Sequence, residues 1–122
     1  MVTHEMTMRS SSAILQRREA VFRAIADPTR RAILGLLRFG RRSVGEIAQN
    51  FRTSRPAISR HLRVLRAAGL VVARRDGTTR MCELNAAPLR AVDDWLHDYQ
   101  AFWRASLRNL KRHVEENVEE KP

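Results

Sequence analysis

Cysteine is almost absent: Cys82 is the single one in 122 residues, so no disulfide can close within the chain, as suits a reducing compartment. Glycine and proline are also sparse, with 5 and 4 residues, which excludes collagen-like and low-complexity architectures. No run approaches the roughly 20 consecutive apolar residues needed to span a bilayer, so a membrane is not an expected partner. Residues 1–12 lack the apolar segment of a secretion signal, and the expected location is the cytoplasm. Also missing are a nucleophile–base pattern, a phosphate-cradling glycine loop and a closed set of metal ligands. Neither an enzyme nor a cofactor is expected. What remains is 43% hydrophobic and 30% charged, a composition that supports one buried core in one domain of ordinary size.

Acids are scarce where it matters most. Lys and Arg number 23 against 13 Asp and Glu, a formal net charge of +10, and 21 of the cations are arginine. Between Arg38 and Arg80 eleven arginines face only two acids, Glu46 and Asp76. General arginine richness explains the choice of cation but not its clustering. A positive field concentrated in one third of the chain attracts a polyanion.

The apolar spacing sets out a mostly helical chain. Residues 1–12 read as a flexible polar tail. Ile14, Val21, Phe22 and Ile25 fit one face of a first helix over Ala13–Ala26. Asp27-Pro28 is a helix start, with Asp as N-cap and Pro in the first turn, opening a second helix to about Arg38. After a basic loop at Phe39–Arg42, Ser43 caps a short third helix carrying Val44, Ile47, Ala48 and Phe51 at i, i+3, i+4 and i+7. Ser54 caps a fourth helix over 54–68, which Gly69 ends. Two β-prone runs follow, Leu70–Arg75 and Thr78–Leu84, joined by Asp76-Gly77 as a two-residue turn. Pro88 then opens a long helix from Leu89 to about Asn117. An acidic tail, 118–122, closes the chain.

A helix pair with a short turn followed by a hairpin is the order of a winged helix-turn-helix, here over 13–88, with 89–117 as a dimerisation helix. At 1.5 Å per residue the last helix extends roughly 40 Å, too far for one small domain to cover. Its stripe of Val92, Trp95, Leu96, Tyr99, Phe102, Trp103 and Leu110, with Ile14 of the first helix, is therefore expected to pair with a second copy. A pocket for a small molecule is the other reading of its aromatics.

The fourth helix has two unlike faces. Ile58, Leu62 and Leu65 share one side, while Pro56, Ser59, Arg60 and Arg63 lie opposite. A planar guanidinium donates two parallel hydrogen bonds, which suits both guanine edges and phosphates. Ser54, Arg55, Pro56, Ser59 and Arg60 occupy the end expected to meet bases in the major groove, and Arg63 and Arg66 the part expected to touch phosphate. His61 lies beside the apolar side, where packing competes with a phosphate contact. Arg74, Arg75, Thr78, Thr79 and Arg80 line the wing, facing phosphate or minor groove. A solvated charged helix explains the helix alone but not helix, turn and basic wing together. The expected function is sequence-specific binding of double-stranded DNA at a palindromic operator by a dimeric repressor. The alternative is a winged-helix module that docks an acidic protein.

The stretch AIADPTRRAILGLLR, then SVGEIAQNF, then TSRPAISRHLRVLRAAGLVVARRDGTTRMCEL resembles the ArsR family of bacterial repressors over roughly residues 20–85. The Asp-Pro-Thr-Arg helix start, the Ser-Arg-His-Leu centre and the Gly-Leu-Val entry to the wing carry the likeness. The resemblance implies a symmetric dimer joined by the first and last helices. It also implies repression relieved by a signal, and an effector that is often a metal. Ser43 and Gly45 stand where metal sensors of the family carry two cysteines, and neither supplies a thiolate. Asp94, His97, His113 and Glu116 invite a second kind of site. His97 and His113 are 16 residues apart, which on a straight helix is about 24 Å and about 160° of rotation, so one chain cannot join them. An antiparallel partner could, but the family spacing is lacking, and solvated or ion-paired histidines are the expectation. No metal site is expected, and any effector stays unidentified. Cys82 reads as a small buried hydrophobe before it reads as a redox sensor.

Overall fold

In the computed structural model, which describes the backbone of residues 2–119 and the side chains of residues 12–118, helix α1 runs Val2–Ile25. It thus begins well before Ala13 and takes in nearly all of the segment read as a flexible tail. No Gly or Pro occurs between residues 2 and 26, so the backbone offers nothing to stop helix propagation toward the N-terminus. The other end is closed from outside. Arg30 donates from Nε to the Ala24 carbonyl at 2.6 Å and from Nη2 to the Arg23 carbonyl at 3.0 Å, and Arg31 donates to the Ile25 carbonyl at 2.8 Å. These cations satisfy carbonyls that the last turn leaves without helical partners.

The next three helix starts carry the caps that their sequence announces. Helix α2 spans Pro28–Leu37, and Asp27 Oδ2 accepts from the Arg30 amide at 2.9 Å. Helix α3 spans Val44–Gln49 behind a capping box, in which Ser43 Oγ accepts from the Glu46 amide and Glu46 accepts from the Ser43 amide. Helix α4 spans Arg55–Ala67, with Ser54 Oγ accepting from the Ala57 amide. Gly69, at φ +77°, then turns the chain out of the helix.

Three strands form an antiparallel sheet ordered β1-β3-β2, with β1 at Arg42–Ser43, β2 at Val71–Asp76 and β3 at Thr79–Leu84. Strand β1 falls at the end of what reads as a basic loop; two residues are too few to show a period of two. It pairs Arg42 with Cys82 and Ser43 with Met81. The hairpin turn is also one residue later than expected. Asp76 pairs with Thr79, so the loop is Gly77-Thr78, and among these only Gly77 has positive φ, at +66°. A turn centred on Asp76-Gly77 would need positive φ at Asp as well, whereas the turn with Gly first does not.

The core is drawn from α1, α2, α3, α4, β2 and β3, with the connection after α4. Ile33, Ile47, Ile58, Leu65 and Leu70 are fully buried, joined by Val21, Ala24, Leu34, Leu37, Leu62, Val71 and Cys82. Asn85 ties the root of the wing to the end of α4, with its amide donating to the Leu70 carbonyl at 2.8 Å and its side chain to the Gly69 carbonyl at 2.9 Å. Pro88 lies in a 3-10 turn, Ala87–Leu89, rather than in the first turn of the last helix.

Helix α5 spans Arg90–Glu119, and from Val92 onward it forms a compact unit of its own. It runs past Asn117 into the expected tail; residues 120–122 lie outside the described residues. Trp95 and Tyr99 meet edge to face at 5.3 Å, and Trp95, Tyr99, Phe102, Trp103, Leu107, Leu110, Val114 and Val118 are all exposed. Among the described residues no helix is long and apolar enough to cross a membrane.

Asp27 and Glu46 are both held below the ordinary carboxylate range, Asp27 chiefly by the Arg30 amide and Glu46 by the Ser43 amide and hydroxyl. Each therefore binds fewer protons folded than unfolded, so its stabilisation is complete above the ordinary range and is lost as pH falls through the depressed folded values. Urea unfolding should show stability declining on that acid limb, and the double variant Asp27→Asn, Glu46→Gln should decline less steeply than the unaltered chain.

Candidate nucleic-acid interface

Burial of Ile58, Leu62 and Leu65 fixes how α4 sits, and with it what the helix offers to solvent. Ser54, Arg55, Pro56, Arg60 and Arg63 are exposed, and Ser59 is half-buried. The helix contains no acid. At its start the Arg55 guanidinium folds back over α3, where a Cβ built on Gly45 would stand 3.8 Å from a guanidinium nitrogen.

The wing separates its arginines by the alternation of a strand. Arg75 and Arg80 are cross-strand partners, on the same face as the Ala73–Cys82 pair. Arg74 points the other way, its Nε 3.2 Å from Glu83 Oε2. Arg74 is thereby set apart from the two arginines with which the sequence groups it. A two-residue period applied to the hairpin register would have made that distinction. At the tip, Arg41 lies 3.7 Å from Asp76, a pairing across loop and hairpin that sequence reasoning did not foresee. Thr78 and Thr79 are exposed beside it.

Between α4 and the wing is a cleft of about 210 Å³. Ser59, Arg63, Arg66 and Arg80 form its polar rim, with Leu62 and Cys82 on its floor. It joins the helix row to the Arg75–Arg80 face. Among the described residues, Arg55, Arg60, Arg63, Arg66, Arg75 and Arg80 take part in no salt bridge. Burial pushes the Cys82 thiol up, with Arg66 and Arg80 opposing, the direction that disfavours a thiolate.

His61 is not part of this row. It turns inward and is half-buried, with Nδ1 3.3 Å from Arg30 Nη1 and 3.8 Å from Asp27 Oδ2.

The residues at the family's metal positions do not fit a metal. Ser43 Oγ is engaged as the α3 cap, and Gly45 has no side chain. Asp94, His97, His113 and Glu116 lie along the one helix α5, and His113 is 3.2 Å from the Asn117 side chain. Among the described residues no three His, Cys, Asp or Glu side chains group to hold an ion.

Comparison with known proteins agrees with this geometry. Residues 27–72, from the α2 cap through α3 and α4 to the first strand of the wing, match the family described as bacterial regulatory protein, arsR family. The HTH-type transcriptional regulator Rv2034 of Mycobacterium tuberculosis is 42% identical over 89 residues, which cover 73% of this chain and 80% of that protein. The transcriptional repressor SdpR of Bacillus subtilis is 40% identical over 79 residues, 65% of this chain and 88% of that one. Among solved structures, the homodimeric winged helix-turn-helix DNA-binding domain Mb0332 of Mycobacterium bovis superposes with a TM-score of 0.62 at 31% identity, covering 75% of this chain and 87% of that chain. On these matches this chain belongs to the ArsR family of bacterial transcriptional regulators, winged helix-turn-helix proteins that bind DNA.

Proposed function

We propose that the chain is a homodimeric repressor that lays the N-terminal half of α4 in the major groove of a palindromic operator and rests the wing on the adjacent backbone. The observation that carries this reading is the continuous row of arginines without salt bridges from α4 to the Arg75–Arg80 face. Arg55 and Arg60, with Ser54, Pro56 and Ser59, meet base edges. The cleft rimmed by Arg63, Arg66 and Arg80 seats a backbone phosphate, which takes charge-assisted hydrogen bonds from the guanidinium groups. Arg75, Thr78 and Thr79 extend the contact along the strand. Arg74, already engaged by Glu83, adds little. The protein acts by occupying DNA and catalyses nothing.

Two copies are held together by the stripe on α5. Trp95, Tyr99, Phe102, Trp103 and Leu110 lie exposed on a helix of 30 residues, with Val92 and Leu96 half-buried on the same stripe. Contiguous apolar area of that kind calls for a partner surface, and a two-fold pairing of like helices supplies one. Ile14 on α1 is left uncovered in the same way. Sedimentation at micromolar concentration should show a particle of two chains, and Phe102→Glu should shift it to one; a monomeric unaltered chain would exclude the dimer.

The arginines should fail in different ways. Arg60→Ala should lose discrimination between operator and random duplex by about 1–3 kcal/mol, the value of a bidentate base contact. Arg75→Ala and Arg80→Ala should weaken both DNAs alike and flatten the plot of log affinity against log salt by about 0.9 per lost phosphate contact, or about 1.8 for a dimer. Arg74→Ala should change the slope least. Equal weakening of both DNAs by Arg60→Ala, with discrimination lost in Arg75→Ala, would reverse the assignment of bases to the helix and backbone to the wing.

Ser43 and Gly45 supply no thiolate, and His97 and His113 of one chain are too far apart along α5 to share an ion; on the reading that no partner completes such a site, zinc and chelators should leave operator affinity unchanged. A stoichiometric zinc isotherm with a matching change in affinity would show otherwise.

A further inference from the structure

The polar residue by which α4 is fastened to the rest of the domain is His61. Arginine can only donate, so the 3.3 Å contact with Arg30 Nη1 requires a lone pair on His61 Nδ1 and places the ring proton on Nε2. Arg30 is itself tightly held. Its Nε and Nη2 donate to the Ala24 and Arg23 carbonyls at the end of α1, and its backbone amide donates to Asp27 Oδ2. Asp27 Oδ2, 3.8 Å from His61 Nδ1, supplies the counter-charge beyond hydrogen-bond distance. The end of α1, the start of α2 and the middle of α4 thus meet at one guanidinium.

This link supplies what apolar packing does not. Burial of Ile58, Leu62 and Leu65 holds α4 against the body but is non-directional, whereas a hydrogen bond weakens steeply with angle. Side-chain tips lie about 5–6 Å from a helix axis, so a rotation of about 10° moves them by about 1 Å, beyond the tolerance of a precisely placed contact. Arg60 is the neighbour of His61 in sequence, about 100° further round the same helix, and is exposed where His61 is half-buried. A turn of the helix that releases His61 from Arg30 therefore carries Arg60 sideways across the base edges.

We propose that His61 is a positioning residue for sequence discrimination: Nδ1, by accepting from Arg30, sets the rotation of α4 that lets Arg60 read bases, and His61 itself touches no DNA. The proposal rests on the DNA-binding reading above. The test uses the full chain, a duplex that it selects from random sequence, and a random duplex, each titrated at several salt concentrations. His61→Leu should lower the preference for the selected duplex by about tenfold or more, the scale of one lost bidentate contact, while leaving the salt slope unchanged. His61→Ala should act in the same direction and covers the case in which Leu packs badly. In His61→Asn the side-chain oxygen replaces Nδ1 as acceptor, and preference should return to within about threefold of the unaltered chain. A flattened salt slope in His61→Leu and His61→Ala would make His61 a phosphate contact and overturn the proposal. So would unchanged preference in both, or an Asn variant as indiscriminate as the Leu variant. If the unaltered chain showed no salt-dependent DNA binding, the DNA reading would fail first, and the role of His61 with it.

Discussion

Everything on the outer side of the domain depends on three side chains of α4 being inside it. Ile58 and Leu65 are fully buried and Leu62 nearly so, each contributing about 1.5–3 kcal/mol by leaving water. Once they are committed to the core, the 100° step of the helix leaves Pro56, Ser59, Arg60 and Arg63 nowhere to go but outward. The apolar residues thus hold the arginines in place without touching DNA. Asp27, Ser43 and Ser54 serve the same end from the helix termini, since each fixes where a helix begins and so which residue takes which face.

The cost of this arrangement is electrostatic. Arg75 and Arg80 stand directly opposite one another on the hairpin, and like charges in that position destabilise a ladder. Arg63, Arg66 and Arg80 crowd one small cleft without an acid among them. Four other arginines do find partners: Arg74 in Glu83, Arg41 in Asp76, and Arg30 and Arg31 in the carbonyls that end α1. Lack of a salt bridge does not by itself mark an interface, since among the described residues Arg17 and Arg18 on α1 and Arg104, Arg108 and Arg112 on α5 have none either. What sets Arg60, Arg63, Arg66 and Arg80 apart is their gathering on α4 and the wing beside it, on a helix that contains no acid.

Much of this was legible in the sequence, for identifiable reasons. The caps at Asp27, Ser43 and Ser54 are local chemistry, and the bounds of α3 and α4 follow from them. The apolar period placed Ile58, Leu62 and Leu65 correctly because a short helix on a small core has only one side to bury. The misses in the sheet share a cause in pairing between segments. Strand β1 exists only because Arg42 and Ser43 meet Cys82 and Met81, and the Gly77-Thr78 loop is set by cross-strand register rather than by the Asp-Gly dipeptide. The helical start of α1 went unforeseen because the polar residues before Ala13 show no apolar period, although nothing there breaks a helix. His61 sits at the border of the two faces of α4, and only the packing of α2 against α4 decides that it looks toward Arg30.

If two copies of this fold present paired recognition helices and wings to one face of duplex DNA, hydroxyl-radical footprinting on a duplex selected by the protein should reveal it. Two symmetric protected half-sites are expected about 10 base pairs apart, centre to centre, or a multiple of that spacing, with protection lost in Arg75→Ala before the half-site pattern itself changes. A single asymmetric footprint, or protection that ignores sequence, would contradict it.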